Sequence, residues 1–135
     1  MSLSYKILGQ LATLGAEAYS GSGYGYGYYY GFGENNEESG YATIYTVPDS
    51  TEATVTTISV TNFDTDVISY DLAIVPAGET LGVVHHYKWD MQVAAGDFDL
   101  LTAKLTLSAG DKIMFLPSNV DKVGITVFGV EKDNS

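Results

Sequence analysis

Tyr41-Ala-Thr-Ile-Tyr-Thr-Val-Pro48, then Ala53-Thr-Val-Thr-Thr-Ile-Ser-Val-Thr-Asn62, then Val67-Ile-Ser-Tyr-Asp-Leu-Ala-Ile-Val-Pro76: these three runs decide the fold. Each is rich in β-branched and aromatic residues, and each ends at a short polar break. Val67–Val75 alternates, with Ile68, Tyr70, Leu72 and Ile74 on one face and Ser69, Asp71 and Ala73 on the other. That is the period of a half-buried strand.

The pattern continues toward the C-terminus. Strand signals cover Val83–Val93, Leu100–Ser108, Lys112–Leu116 and Val123–Glu131. The breaks between strands carry Gly, Pro, Asn and Asp, as in Pro76-Ala77-Gly78-Glu79 and Ala109-Gly110-Asp111. Many short strands so punctuated predict an all-β chain, an antiparallel β-sandwich of jelly-roll-like form. In Val83–Val93 strict alternation puts Val83, Tyr87, Trp89, Met91 and Val93 on the core face, opposite His86, Lys88, Asp90 and Gln92. In Leu100–Leu107 it sets Leu101, Ala103, Leu105 and Leu107 against Thr102, Lys104 and Thr106. The last strand has apolar residues on both sides, Val123, Ile125 and Val127 against Phe128 and Val130, and is expected to be covered on both faces.

Residues 1–40 read as an appendage to a sandwich spanning 41–131, with 132–135 a polar tail. Ser4–Gln10 suits a strand or a docking arm, and Leu11–Ala18 a helical turn or two. Structure is expected in this arm only on docking. Residues 19–33 alternate Tyr and Gly with few interruptions. Glycine makes such a backbone costly to order, while tyrosine supplies large amphipathic contact area. The stretch suits an adaptable adhesive loop or an unstructured insertion. Glu34, Glu37 and Glu38 follow as a solvated acidic turn.

Composition narrows the function. The 135 residues suit one domain. There is no cysteine, so no disulfide or thiolate metal site holds the fold. Net charge is −11, and the six basic residues are all lysine. Without arginine, the usual fork for phosphate and base edges, nucleic acid is an unsuitable partner. The charge likewise opposes an anionic membrane surface, and no apolar run reaches the roughly 20 residues of a membrane helix.

Chemistry-bearing motifs are few. His85-His86 are strand neighbours pointing to opposite faces, so they cannot share a metal ion. Asn62-Phe63-Asp64-Thr65-Asp66 alternates oxygen ligands but lacks the glycine and distal glutamate of a calcium loop, and reads as a strand-connecting turn. Asp97-Phe98-Asp99 pairs two carboxylates at a turn. The glycines at 23, 25 and 27 precede no helix and make no phosphate loop. No nucleophile, base or cofactor motif is legible, so no enzyme, metal or cofactor is expected.

Seven motifs fall in order along the chain: Lys6-Ile-Leu-Gly-Gln10, Ile44-Tyr-Thr-Val-Pro48, Thr57-Ile-Ser-Val-Thr-Asn62, Leu72-Ala-Ile-Val-Pro-Ala-Gly78, His86-Tyr87, Leu107-Ser-Ala-Gly-Asp111 and Phe128-Gly-Val-Glu131. In this the chain resembles a family of small virion proteins of tailed bacteriophages, common among phages of cyanobacteria. The resemblance implies a β-sandwich made in the host cytoplasm and carried on the virion. Within that class the expectation is a capsid decoration or cement protein, a homotrimer on the outer capsid surface binding the major capsid protein. A tail, neck or fibre component is the neighbouring alternative. Residues expected to touch other chains are Tyr5, Ile7, Leu8, Leu11, Tyr24, Tyr26, Tyr28, Tyr29, Tyr30, Phe32 and Phe128. An alternative of another class is a carbohydrate-binding sandwich stacking sugars on Tyr24, Tyr26, Tyr28–Tyr30 or Trp89.

Overall fold

A computed structural model describes the backbone of residues 2–14, 36–38, 41–118 and 122–134, and the side chains of 6–10, 41–118 and 122–134. The strands are β1 (Ser2–Leu14), β2 (Asn36–Glu38), β3 (Tyr41–Thr46), β4 (Thr51–Asn62), β5 (Ile68–Val75), β6 (His86–Val93), β7 (Phe98–Ser108), β8 (Lys112–Pro117) and β9 (Lys122–Asp133). One 3-10 turn, Val83–His85, precedes β6. The strands form two antiparallel sheets, ordered β1-β9-β4-β7 and β2-β3-β8-β5-β6. Setting the three-residue β2 aside, the first sheet holds the first, eighth, third and sixth strands and the second holds the second, seventh, fourth and fifth. That order is a jelly roll, the fold class the sequence predicts.

The core lies between the sheets. Val55, Ile58, Val60, Val123, Ile125 and Val127 of the first sheet meet Tyr70, Leu72, Ile113 and Phe115 of the second. Ile68, Tyr70 and Leu72 are buried together, and on β7 the inward residues Leu101, Ala103, Leu105 and Leu107 alternate with exposed Thr102, Lys104 and Thr106. Both patterns follow the alternation of the sequence.

Two tyrosines cross the sandwich. Tyr45 of β3 donates its hydroxyl to Glu131 of β9, and Tyr70 of β5 donates to Asp99 of β7 at 3.1 Å. Glu131 also accepts from Lys6 of β1 at 2.8 Å. Both hydroxyls are pushed well above the ordinary tyrosine range, by burial first and then by the neighbouring carboxylate. Burial works against the Glu131 charge, but hydrogen bonds from Lys6 and Tyr45 outweigh it and hold the carboxyl below its usual range.

The turns at each end are tied by side chains. Buried Asn62 donates to the carbonyls of Asp66, Val93 and Ala94 at 2.9, 3.0 and 3.2 Å and accepts from the Asp64 amide at 2.8 Å. The Asn62–Asp66 stretch is therefore a strand-connecting turn folded around its asparagine. At the other end Asp111 accepts from the amides of Ala77 and Ser108, at 2.9 and 2.8 Å. Gly110 adopts φ 89°, and a Cβ there would lie 2.7 Å from Cβ of Ala77, so backbone and space both require glycine.

Several expectations are corrected. The N-terminal arm is a strand of the sandwich: β1 pairs with β9 from Ser2↔Asp133 to Leu14↔Lys122. No helix forms over Leu11–Leu14. A bulge at Leu8 turns that side chain onto the core, and Gly9 passes so close to β3 that a Cβ would meet the Ile44 carbonyl at 2.3 Å. Of the two readings of Ser4–Gln10, strand or docking arm, the strand is the one found, and its place in the sandwich was not legible because β1 owes it to β9, at the far end of the sequence. The polar tail begins later than expected, since β9 reaches Asp133. The outer face of β9, with Thr126, Phe128 and Val130, is half-buried and has no covering element among the described residues. Val83 and Val84 leave the strand for the 3-10 turn and are 82% and 85% exposed. Trp89 is not a core residue; it is 61% exposed.

Candidate binding site

The outer face of the five-stranded sheet carries the most elaborate surface among the described residues. Its base is a second apolar cluster: Tyr41, Ala73, Val75 and Met114 are buried there, with Leu81 and Leu116 packed against them. The connection from Pro76 to His85 is fastened beside them by the two histidines. His85 accepts from the Gly82 amide at 2.9 Å through Nδ1, and its Nε2 lies 2.9 Å from Glu79. His86 places Nδ1 3.1 Å from the Val83 carbonyl and Nε2 2.7 Å from the Tyr41 hydroxyl. The pair is thus fully used as structural ties.

Next to this cluster β6 departs from regular pairing. Tyr70 pairs with Met91 and Leu72 with Lys88, so Trp89 and Asp90 together oppose the single residue Asp71. This is a β-bulge. Asp90 takes φ 53°, a left-handed conformation that costs a non-glycine residue of order 1 kcal/mol or more. Asp71 holds it there: Oδ1 accepts from the Asp90 amide at 2.7 Å, while Oδ2 accepts from the Tyr41 hydroxyl at 3.1 Å. Burial, then the Asp71 charge, pushes the Tyr41 hydroxyl up to about 12. A second irregularity lies between Leu72 and Ala73, opposite Lys88 and His86. Tyr87 and Met91 still reach the core, but the bulge rotates Trp89 outward. Its ring meets His86 edge-on, with centroids 4.6 Å apart at 83°.

Trp89 and Asp90 form one wall of an open groove of about 420 Å³, with Ser69 and Asp71 on its floor and Leu116 and Ser118 opposite. Ser118 closes one end, accepting the Ser69 amide through its hydroxyl at 2.9 Å and donating its own amide back at 2.8 Å. The groove offers an aromatic surface, two carboxylates and small hydroxyls. It pairs no nucleophile with a base, and among the described residues no three His, Asp or Glu side chains come together as a metal site requires.

A second exposed feature lies at the Asn62 end. Phe63, Val67, Phe98 and Leu100 are 47%, 58%, 56% and 59% exposed. Two hydrogen bonds, Asn62 amide to Asp97 carbonyl at 2.9 Å and Phe63 amide to Lys122 carbonyl at 2.7 Å, draw these connections together.

The expected contact residues distribute unevenly. Ile7 and Phe128 are partners across β1 and β9, on the outer face of the four-stranded sheet. Leu8 is turned to the core. Tyr5 and Leu11 lie on β1, with side chains outside the described set. Tyr24, Tyr26, Tyr28, Tyr29, Tyr30 and Phe32 lie outside the described residues. Phe63, Val67, Phe98 and Leu100 were missed as contact candidates; large apolar residues at turns and outward strand positions are the signal that identifies them. No family model, curated protein or solved structure matches this chain.

Proposed function

We propose that this chain is a structural virion protein that decorates the outer surface of a tailed-phage head and stabilises contacts between major capsid proteins. The observation that carries this reading is the set of large apolar side chains left exposed toward the Asn62 end of the sandwich, Phe63 and Val67 in the connection after β4 and Phe98 and Leu100 on the outward face at the start of β7. Four large apolar side chains kept in water at one end suit burial against other protein chains. The jelly roll supports the reading as well, since it supplies a body that needs no disulfide to hold its shape. In this proposal the protein assembles as a homotrimer, so that weak contacts to the shell add through multivalency. The acidic surface suits a position outside the packaged nucleic acid.

Quantitative mass spectrometry and cryo-electron microscopy of the purified particle test this directly. Density for the jelly roll repeated over the head at capsomer junctions is the expected result. A few copies per particle would move the protein to the tail or neck, and absence from purified virions would end the proposal. A Phe98→Ser/Leu100→Ser double variant is expected to fold and to lose attachment to heads lacking the protein.

A further inference from the structure

We infer that the groove beside Trp89 is a binding site for a neutral oligosaccharide, independent of any seat on a phage head. The first ground is the indole itself. It is the largest exposed apolar side chain among the described residues, and it is not there for want of a core position, because Tyr87 and Met91 on the same strand reach the core. The bulge sends it out and His86 fixes its tilt by edge contact. A fixed aromatic surface at the wall of a groove suits the C–H face of a sugar ring.

The second ground is what accompanies it. Asp71 and Asp90 put two carboxylates in the groove, and carboxylates take hydroxyl donors in strong, short hydrogen bonds. Asp71 already has one partner on each oxygen, so its orientation is set before any ligand arrives. Asp90 is held in a backbone conformation that costs energy, stabilised by the Asp71 carboxylate at its amide. Strain kept at the mouth of a groove, rather than relaxed by a glycine, is the mark of a functional position.

The third ground is exclusion. Two carboxylates in a chain of net charge −11 repel phosphate, sulfate and uronate groups. The core of a protein–protein contact is depleted in Asp, which disfavours a protein as occupant of this groove. Ligand pockets run from ~300 to 1,000 Å³, and about 420 Å³ open along the sheet suits a short stretch of a chain molecule rather than an engulfed metabolite. A ligand rich in hydroxyl donors, uncharged and with apolar ring faces meets all three conditions.

The chain holds a single tryptophan beside eleven tyrosines, so indole emission excited at the red edge, beyond tyrosine absorption, reports on this groove. Isolated protein is titrated with cellohexaose, maltohexaose, mannohexaose, xylohexaose and chitohexaose, each to about 10 mM, well past the millimolar affinities that one small groove gives. A saturable shift or quench with at least one of them is expected. By calorimetry, Trp89→Ala should abolish that binding, and Asp90→Asn should weaken it about tenfold, the loss of one charged hydrogen bond. Val84→Ser, on the exposed 3-10 turn, should bind as the parent does. Melting curves confirm that each variant is folded. The inference is overturned if none of the five sugars responds, or if a responding sugar binds the folded Trp89→Ala variant as tightly as the parent. Head attachment is read on separate particles, so either proposal can fail alone.

Discussion

The two sheets present their outer surfaces to different ends. On the four-stranded sheet the outward side chains are largely threonine and serine, such as Thr54, Ser59, Thr61, Thr102 and Thr106, with Ile7, Phe128 and Leu100 scattered among them. Nothing among the described residues lies over them. On the five-stranded sheet the outward side chains make a second, dry cluster under the Pro76–His85 connection, and a bulge beside it exposes Trp89. One outer surface is what remains after a core is built; the other has a core of its own. A sheet face becomes a place for binding when its neighbours are fixed first. Here Tyr41, Asp71 and His86 do the fixing.

That contrast can be broken most forcefully with paired truncations. Met114→Ala, on the outer face of the five-stranded sheet, should cost about 2–5 kcal/mol, as in an ordinary core. Thr106→Ala, on the outer face of the other sheet, should stay within about 0.5 kcal/mol. Urea denaturation measures both, and equal costs would erase the distinction.

Alkali sharpens it next. Tyr41, Tyr45 and Tyr70 are all held neutral above the ordinary tyrosine range. In the unfolded chain they ionise near 10, so stability is whole below that pH and falls as pH rises toward the folded values. The loss should reach about 1.4 kcal/mol per pH unit for each tyrosine involved. Tyr41→Phe should remove the part lost up to about pH 12, the part belonging to the outer cluster. An unfolding slope between pH 10 and 11 that is unchanged in this variant would separate Tyr41 from the effect.

Acid tests the four-stranded sheet. The lowered Glu131 carboxyl stabilises the fold above the unfolded value of about 4.3 and loses that contribution as pH falls through its folded value. Glu131→Gln should cost about 1 kcal/mol at neutral pH and close to nothing once the parent carboxyl is protonated. A constant penalty across the acid range would place the effect in packing instead. A small change is also expected at Trp89→Ala, under about 1 kcal/mol of stability, because the ring is more exposed than buried. A loss of 3 kcal/mol or more, the cost of truncating a core aromatic, would return Trp89 to the core.

The parts legible from sequence are those set by local alternation. Ile68, Tyr70 and Leu72 on β5, and Leu101, Leu105 and Leu107 on β7, read inward from period two alone, and the jelly-roll-like sandwich follows from many such strands. Trp89 misleads because one left-handed residue, Asp90, resets the alternation, and nothing in the local sequence marks an aspartate for that conformation. The tie beside the groove joins Tyr41 to Asp71, and the tie across the sandwich joins Tyr45 to Glu131, partners 30 and 86 positions apart. No periodicity connects residues so distant. The pairing of β1 is hidden for the same reason: Gly9 weakens the local signal, and its partner is β9, far along the sequence.

That last pairing has a bearing on how the protein comes into being. Ser2 lies beside Asp133, so β1 can find its neighbour only after β9, the strand farthest from it along this sequence, has been made. Most of the sheet can assemble while β1 waits, and β9 then closes against β4 and β1 together. Such distant closure makes for slow maturation. Until it happens, Leu8 and the edge of β9 stand open to other nascent copies, which makes the final seconds of folding the interval in which crowding or a chaperone decides yield.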